Sequence, residues 1–514
     1  MVGKIILTPF MKPRGFSPPP DDSAILLAAM RGAIPIDVPV RTLELDAWVE
    51  PPRVMAAIAR QPSPAILDSG DAHVADPRYT VVACDPARVL EATHPHDADP
   101  FAALATDLRA VRVHTPADVP FVPGWIGYLG YEAGRYLEPA VCRHVTTRRE
   151  IALPDVRMGL YDTIAVADLN ARRWTIVAVD LPPALAGPRP PADGRAKQLA
   201  DRIERAAELP EPDATETRHD TNVTTSINRD RFMRKVEQAQ DYITAGDIFQ
   251  ANLCHHLTAV RRVDPFGLYR RLRSTNPAQY AAYLAFDDKA ICSASPELFL
   301  SLRGRNVVTR PIKGTRPRTG IAERDARHRR ELAASEKDHA ELAMIIDLER
   351  NDLGRVSEFG SVRVRTPWQL EAHPTVYHLV ATVTGTLRPG CDAVDLLAAT
   401  FPGGSITGAP KVRAMQIIDA LEETTRSVYC GAIGHVGLNG DLTLNIAIRT
   451  IIVDGATLHL PVGAGIVADS VPADEYDETL AKGAGMLAAV NAEPSGVRPN
   501  ALPAPVRSVP ETVT

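Results

Sequence analysis

The sequence lacks the features that mark several large classes of protein. Its 514 residues include only six cysteines, which lie far apart and argue against a zinc site or a disulfide framework. No apolar run is long enough to cross a bilayer, and the 14 histidines show no metal-ligand spacing. The formal net charge of -6 gives no polycationic surface for nucleic acid.

The opening residues also lack the length and the small-residue cleavage site of a signal peptide, so we expect a cytoplasmic protein. The 45% hydrophobic and 23% charged residues are typical of a globular chain, and aromatic residues make up only 5%. The length predicts roughly two to four structural units.

Composition divides the chain into two long regions. Residues 25–209 contain short strand-like runs broken by Pro, Gly and Asp clusters and end in a predicted helix. Residues 227–492 are more regular and carry nearly all the candidate chemistry. Shorter segments complete the division: a poorly ordered N-terminus at 1–24, a polar linker at 210–226 and a disordered Pro-rich tail at 493–514.

One lysine is placed unusually for a charged side chain. Lys313 lies between an isoleucine and a glycine in Thr309-Arg-Pro-Ile-Lys-Gly-Thr315. In a partly dehydrated pocket, desolvation would lower its pKa and free an amine lone pair for attack. The alternative is a surface charge in a turn.

A glycine-rich segment leads directly into a predicted helix. Phe401-Pro-Gly-Gly-Ser-Ile-Thr-Gly-Ala-Pro-Lys411 precedes a helical pattern over 412–421. Glycines allow close backbone approach, and the free amides of a helix N-terminus attract an anion such as a carboxylate. The spacing is neither a Walker A motif nor a dinucleotide fingerprint, and a plain strand-to-helix connection remains the alternative.

Three glutamates are candidates for metal binding or acid chemistry. Glu341 lies in a helical pattern over 338–348, and Glu478 follows the glycine turn at 463–465. Magnesium is usually held by one or two carboxylates with waters and substrate oxygens, although solvated helix faces would also explain these residues. Glu297 could donate a proton if a pocket raised its pKa.

A hairpin is predicted over 431–453, with Asn439-Gly440 as its turn. Strand alternation places Leu444, Ile446 and Ile448 on one face and Arg449 on the other. Arg449 would then face a polar partner such as a carboxylate, or lie on a solvated outer face.

Taken together, these segments resemble the chorismate-utilising enzyme family. The matching segments span 230–490: Gly246-Asp-Ile-Phe-Gln-Ala-Asn252, Ser293-Ala-Ser-Pro-Glu297, Pro311-Ile-Lys-Gly-Thr315, Asp347-Leu-Glu-Arg-Asn-Asp-Leu-Gly-Arg-Val356, the 403–411 loop and Gly463-Ala-Gly-Ile-Val-Ala-Asp-Ser470. Lys313 is typical of the members that make 4-amino-4-deoxychorismate for p-aminobenzoate and folate synthesis. Members that make anthranilate, isochorismate or salicylate commonly have alanine there, and anthranilate synthase component I is the alternative assignment.

The resemblance implies a fold and a set of site residues. The fold would be α+β, a two-part sandwich of mostly antiparallel sheets with helices between them. Glu341 and Glu478 would bind magnesium, with Glu475 as a further or alternative ligand. Residues that would contact chorismate are Gly314, Thr315, His378, Ser405, Tyr429, Arg449, Gly463, Gly465 and Lys482.

The resemblance also implies a covalent mechanism and a partner. Lys313 would attack ring carbon 2 of chorismate while Glu297 protonates the departing hydroxyl at carbon 4, with magnesium fixing the ring carboxylate. Ammonia would then enter at carbon 4 and expel the lysine. Because no cysteine lies in a Gly-x-Cys-x-Gly setting, we expect the ammonia to come from a separate glutamine amidotransferase subunit in a heterodimer.

Overall fold

The computed structural model describes residues 35–70, 78–93, 97–116, 119–143, 148–209, 221–374, 376–493 and 496–499. The predicted N-terminal segment at 1–24, most of the 210–226 linker and most of the 493–514 tail lie outside these ranges. The predicted domain boundaries therefore stay predictions.

The described residues form both helices and strands along the whole of the described chain. The helices are α1 Pro51–Ile58, α2 Pro100–Ala110, α3 Gly134–Leu137, α4 Pro183–Ala186, α5 Ala192–Ala206, α6 Arg229–Thr244, α7 Pro265–Thr275, α8 Ala322–Ala334, α9 Glu336–Gly354, α10 Ala393–Thr400, α11 Lys411–Leu421 and α12 Pro472–Ala489. The strands before α7 are β1 Ile36–Val38, β2 Val40–Glu44, β3 Ala65–Asp68, β4 Tyr79–Ala83, β5 Arg88–Ala92, β6 Val111–Val113, β7 Gly124–Leu129, β8 Val156–Tyr161, β9 Thr163–Asp168, β10 Arg173–Val179, β11 Val223–Thr225 and β12 Gln250–Val260. Those after it are β13 Tyr280–Phe286, β14 Lys289–Ser295, β15 Leu298–Arg303, β16 Asn306–Arg310, β17 Ile312–Pro317, β18 Arg363–Ala372, β19 Val376–Thr386, β20 Gly408–Ala409, β21 Ala432–Gly437, β22 Leu442–Ile446, β23 Thr450–Asp454, β24 Thr457–Ile466 and β25 Arg498–Pro499.

Two large sheets, mostly antiparallel, organise the described residues. The first has 13 strands in the order β2-β10-β9-β4-β3-β13-β14-β23-β24-β12-β11-β25, with β20 paired to β12. The second has 10 strands in the order β17-β19-β16-β15-β22-β21-β7-β8-β5, with β18 paired to β19. This arrangement of large antiparallel sheets and helices confirms the predicted α+β class.

Both sheets contain strands from each of the two long regions. In the first sheet β3 pairs with β13, so that Asp68 lies opposite Ala281. In the second sheet β7 pairs with β21, so that Leu129 lies opposite Ala432. The chain therefore builds each sheet from residues on both sides of 210–226.

The first sheet is buried on both faces. One face shares a core with the second sheet and with α9, α10 and α11, as shown by Val81, Leu300 and Ile346 in one buried cluster. The other face packs against α1, α5, α7 and α12, with Ile203 and Leu487 in a second cluster. Burial on both faces explains why the central strands are nearly continuous apolar runs.

Several local predictions are confirmed. The helical pattern over 338–348 lies within α9, where the Ser335 hydroxyl accepts a hydrogen bond from the Asp338 amide at 3.3 Å as an N-cap. The pattern over 412–421 is α11. The five described cysteines, at 84, 254, 292, 391 and 430, are free thiols.

The hairpin prediction was right for its turn and wrong for its length. β21 and β22 pair around Asn439-Gly440, but β22 ends at Ile446 and β23 belongs to the first sheet. Arg449 has a φ of 52°, which ends the extended conformation where the chain crosses between the sheets. Arg449 therefore lies outside the strands, and the side-chain direction predicted for it from strand alternation does not apply.

A buried arginine joins parts of the chain that are distant in sequence. Arg426 is 1% exposed, and its guanidinium bonds both carboxylate oxygens of Glu422 at 2.6 and 2.9 Å. It also donates to the Ile406 carbonyl at 3.0 Å and the Asn252 carbonyl at 2.5 Å, and it lies over the Tyr131 ring. Four hydrogen bonds and one ring contact of Arg426 thus hold together the first region, β12 and the glycine-rich loop.

In the described ranges, no helix combines the length and the apolar content that crossing a membrane requires.

Replacing Arg426 by alanine is expected to lower the free energy of unfolding by about 3–5 kcal/mol, because Glu422 would stay buried without its partner. Denaturant unfolding would measure the change. The control is Arg327→Ala, which removes an exposed partner of Glu331 at 3.5 Å and should cost less than about 1 kcal/mol. Similar small effects of both substitutions would contradict the importance of this network.

Candidate active site

Lys313 lies on β17 beside a bulge that glycine makes possible. The pairing of β17 with β19 shifts register between Lys313 and Thr315, and Gly314 between them has a φ of 74°. A Cβ at Gly314 would lie 2.8 Å from the Leu332 side chain, so both conformation and space require glycine. The bulge directs the Lys313 amine into the protein, where its side chain is 12% exposed.

The surroundings of the Lys313 amine favour its neutral form. Burial lowers its pKa, and the positive charge of Lys482 lowers it further. Glu341, whose Oε2 lies 3.8 Å from the amine, opposes this shift, as do Glu297 and Glu478. Burial outweighs the carboxylates, so the pKa lies below that of an ordinary lysine.

Glu297 is a buried acid next to the same strand. It is 4% exposed, and its Oε1 accepts a hydrogen bond from the Ile312 amide at 3.4 Å. Burial raises its pKa to about 7, against the hydrogen bond of the Ser405 hydroxyl and the positive charge of Lys313. Near neutral pH, a substantial fraction of Glu297 therefore carries a proton that it can donate.

Three glutamates from α9 and α12 face three lysines. The Lys337 amine lies 4.0 Å from Glu341 and 3.6 Å from Glu475, and Lys482 bonds Glu478 at 2.5 Å. Ser470 also donates to Glu475 at 2.6 Å. The carboxylates from two helices therefore share one region with Lys313 at its edge.

The oxygen atoms of these carboxylates are the type of ligand that a magnesium ion takes. Magnesium prefers oxygen ligands and uses one or two protein carboxylates, leaving other positions for water and substrate. Glu341 and Glu478 meet that requirement, and lysine ammonium groups now balance the charge that a divalent cation would balance. Within the described residues, no group of three or more His, Cys, Asp or Glu is placed so that it could hold a metal ion.

His378 lies behind the β17 bulge. Its Nδ1 is 3.1 Å from the Thr315 hydroxyl and 3.4 Å from the Gly314 carbonyl. Burial lowers its pKa to about 3, with the charges of His373 and Arg449 acting in the same direction. The imidazole is therefore neutral and holds the bulge in place.

A second group of residues lies near Gly463. A Cβ on Gly463 would come within 3.0 Å of the Tyr429 hydroxyl, and the Lys482 amine donates to the Gly463 carbonyl at 3.4 Å. Burial lowers the pKa of Arg449 to about 10, while Tyr429 and Glu478 oppose the shift. These residues bring cationic and hydroxyl groups to one wall, which suits an anionic ligand.

Gln250 was missed as a site residue by the sequence analysis. It is fully buried, and neither its Nε2 nor its Oε1 has a hydrogen-bond partner in the described part of the chain. A Cβ on Gly465 would lie 3.0 Å from this Nε2 and 3.3 Å from the Lys313 amine, so glycine leaves space for both. Gln250 belongs to the Gly246–Asn252 segment that carried part of the resemblance, but β12 is buried on both faces, and alternation gives no sign of a site.

The predicted site residues therefore occupy one connected region. Direct contacts, shared hydrogen bonds or electrostatic interactions link the predicted catalytic pair, the three glutamates and the predicted chorismate contacts. Their individual roles stay predictions.

Comparison with known proteins gives a consistent result. The profile of the chorismate binding enzyme family matches residues 64–488. Aminodeoxychorismate synthase component 1 of Bacillus subtilis is 38% identical over 429 residues, covering 80% of this chain and 89% of the relative. Anthranilate synthase component 1 1 of Haloarcula marismortui is 41% identical over 397 residues, covering 76% and 81%. The crystal structure of anthranilate synthase component I from Streptococcus pneumoniae superposes with a TM-score of 0.70 at 33% identity, covering 80% of this chain and 92% of that one.

The Glu297 carboxyl group is expected to titrate near pH 7, and Lys313→Met is expected to raise its pKa because the lysine charge lowers it. Carboxyl carbon NMR of glutamate-labelled protein would measure both values, with Glu297→Gln identifying the signal. Lys197→Met, at an exposed position on α5, is the matched control. An unchanged Glu297 pKa in Lys313→Met would mean that Lys313 is already uncharged while Glu297 titrates, contrary to this expectation.

Proposed function

Because the chain belongs to the family of chorismate binding enzymes, we propose that it aminates chorismate at ring carbon 4 to give 4-amino-4-deoxychorismate. The observation that carries this proposal is the Lys313 amine, which lies 3.8 Å from Glu341 and has a pKa lowered by burial. A neutral amine is a nucleophile, whereas an alanine at this position would have no reacting group. Relatives named aminodeoxychorismate synthase component 1 support the same reaction.

In the proposed first step, the Lys313 nitrogen forms a bond to ring carbon 2. The ring double bonds shift, and the bond between carbon 4 and its hydroxyl oxygen breaks. Glu297 gives its proton to that oxygen, which leaves as water. The Glu297 pKa of about 7 suits this role, because the group is protonated often enough to donate near neutral pH.

In the second step, ammonia forms a bond to carbon 4 and the bond between carbon 2 and the Lys313 nitrogen breaks. The double bonds return, and the enolpyruvyl group stays on the ring. Lys313 is thereby restored as a free amine, and the new ammonium group on carbon 4 returns a proton to Glu297. Gly465 supports both steps because its missing side chain leaves the amine room beside Gln250.

The carboxylates of chorismate would be held by opposite parts of the site. Glu341 and Glu478, with Glu475 as a further ligand, would hold magnesium, which when bound supplies positive charge to the ring carboxylate. Arg449 and Lys482 would attract carboxylate oxygens, and the Tyr429 hydroxyl and the amides of Gly463 and Gly465 would add hydrogen bonds. Thr315, Gly314, His378 and Ser405 would complete the wall around Lys313.

Ammonia would come from a separate glutamine amidotransferase subunit. The six cysteines of this chain lack the Gly-x-Cys-x-Gly setting of such a nucleophile. Four described cysteines are also poor nucleophiles, because burial raises the pKa of their thiols: Cys84, Cys254, Cys292 and Cys430. We therefore propose a heterodimer that supplies 4-amino-4-deoxychorismate for p-aminobenzoate and folate synthesis.

Anthranilate synthesis is the second candidate, because relatives named anthranilate synthase component 1 have comparable identity. That reaction would add ammonia at carbon 2 and release pyruvate. The two reactions therefore differ in a product that is easy to measure.

Lys313→Ala is expected to lower the formation of 4-amino-4-deoxychorismate by about 100-fold or more while the protein stays folded, because the nucleophile is removed. The assay supplies chorismate, magnesium and ammonium, follows the aminated product by mass spectrometry, and checks for pyruvate and anthranilate fluorescence. Lys197→Ala is the control. Unchanged product in Lys313→Ala would refute the nucleophile, and pyruvate release by the unmodified protein would favour the second candidate.

Glu341→Gln is expected to raise the magnesium concentration needed for half-maximal turnover by about 10–100-fold, because one charged ligand is lost. Titration calorimetry with magnesium in the presence of chorismate would give the affinity directly. Glu336→Gln, an exposed glutamate one turn earlier on α9, is the matched control. Equal magnesium affinity in both variants would show that Glu341 does not bind the magnesium ion.

A further inference from the structure

The glycine-rich loop at 401–411 is fastened to α9 near both of its ends. The Gly404 amide donates to Glu349 Oε1 at 3.2 Å. At the other end, the Lys411 amine bonds Asp352 at 2.5 Å. Glu349 and Asp352 are one turn apart, so a single helix face controls the position of the loop.

Glu349 is an unusual residue for its position. It continues the apolar stripe formed by Leu342, Ile346 and Leu353 at helical spacing, where a hydrophobic side chain is the rule. It is 3% exposed, and its Oε2 is buried without a hydrogen-bond partner in the described residues. A buried carboxylate in this state would be very costly, whereas a neutral carboxylic acid would cost much less, since only one polar O–H group would be left without a partner.

The charged groups around Glu349 lead to the same conclusion. Burial raises its pKa to about 8, and the negative charges of Asp352 on α9 and Glu297 before β15 act in the same direction. The Lys411 charge and the Gly404 amide oppose them. Lys411 is already bonded to Asp352, and no other ion pair to Glu349 is seen within the described residues.

The contact with the loop connects Glu349 to the proposed catalytic acid. Gly404 precedes Ser405, whose hydroxyl interacts with Glu297 and lowers the pKa of that carboxyl group. The turn lies directly on α9, because a Cβ on Gly404 would come within 2.6 Å of the Leu348 side chain and 3.1 Å of Glu349 Oε1. Movement of Glu349 would therefore move the hydroxyl that fixes Glu297.

We propose that Glu349 is a positioning residue that acts as a neutral carboxylic acid, holding the Gly404–Ser405 turn against α9 and thereby keeping Glu297 in place to donate its proton. A neutral Glu349 accepts the Gly404 bond with one oxygen and keeps a proton on the other. An ionised Glu349 would place a second negative charge beside Glu297 and compete with Asp352 for Lys411. The inference rests on the proposed function, because it concerns the step in which Glu297 is the acid.

The pH dependence of turnover tests this proposal. If both Glu297 and Glu349 must be protonated, log kcat/KM of the unmodified chain falls above pH 8 with a slope approaching about -2. In Glu349→Gln, which keeps a neutral side chain of the same shape, only Glu297 titrates and the slope approaches about -1. Chorismate, magnesium and a constant concentration of free ammonia are used throughout, with Glu237→Gln at an exposed position on α6 as the control.

A second substitution tests whether Glu349 holds the Gly404–Ser405 turn in place. Glu349→Leu fills the space but cannot accept the Gly404 bond, so kcat is expected to fall by about tenfold while the KM for chorismate changes little. Glu349→Gln should keep kcat near that of the unmodified chain at pH 7. Equal loss of kcat in both variants would overturn the proposed role of the neutral form.

Thermal unfolding gives a readout that does not depend on activity. The folded state keeps the Glu349 proton up to about pH 8, whereas the unfolded chain releases it near its ordinary pKa of 4.5. The stability of the unmodified chain should therefore fall relative to Glu349→Gln as the pH rises from 5 to about 8.

These experiments distinguish failure of the inference about Glu349 from failure of the proposed function. Parallel changes of Tm with pH in the two proteins, or the same slope of log kcat/KM, would overturn the inference while leaving the proposed function intact. Failure of the unmodified chain to form an aminated product would overturn the proposed function, and the inference with it.

Discussion

Charge balance in a partly buried region is the constraint on which the rest of the site depends. Lys313, Lys337 and Lys482 approach Glu341, Glu475 and Glu478, and each charge makes the burial of the others less costly. For Lys313 the balance is incomplete, since burial lowers its pKa more than the carboxylates raise it. The same region therefore holds charged groups beside an amine that is less basic than that of an ordinary lysine.

The structure around this region is held by polar side chains that bond to the backbone and to other side chains of the protein. Arg426 uses its guanidinium on Glu422 and on the carbonyls of Ile406 and Asn252, so it fixes both the glycine-rich loop and β12 from behind. Lys411 and Asp352 fix the end of that loop. The reacting groups thus lie between rigid supports, which is the arrangement that accurate positioning requires.

Much of the local structure could be predicted from the sequence because its signals are local. Helical spacing and the Ser335 cap predicted α9, and Asn439-Gly440 predicted the β21–β22 turn. The end of that hairpin could not be predicted, because it depends on the positive φ of Arg449, a residue type that gives no sign of it. The joining of β3 to β13 and of β7 to β21 was also beyond local patterns, since it depends on contacts across hundreds of residues.

The residues of the candidate site were likewise predicted only in part. Lys313, Glu297 and the three glutamates were predicted from motifs, and the structure brings them into one region. Gln250 and Glu349 were missed for physical reasons, since a buried polar side chain on a strand or on an apolar helix stripe is recognised only when its depth and partners are known. For Glu349 a signal existed, because a glutamate on the Leu342–Leu353 stripe breaks the hydrophobic pattern.

The sharing of strands between the two regions also has a consequence for the newly made chain. As it leaves the ribosome, β3 has an open edge until residues 280–286 emerge, and β7 has one until residues 432–437 emerge. Open strand edges invite pairing with other chains. These two edges of the first region therefore lack their final partner strands until most of the polypeptide has been synthesised.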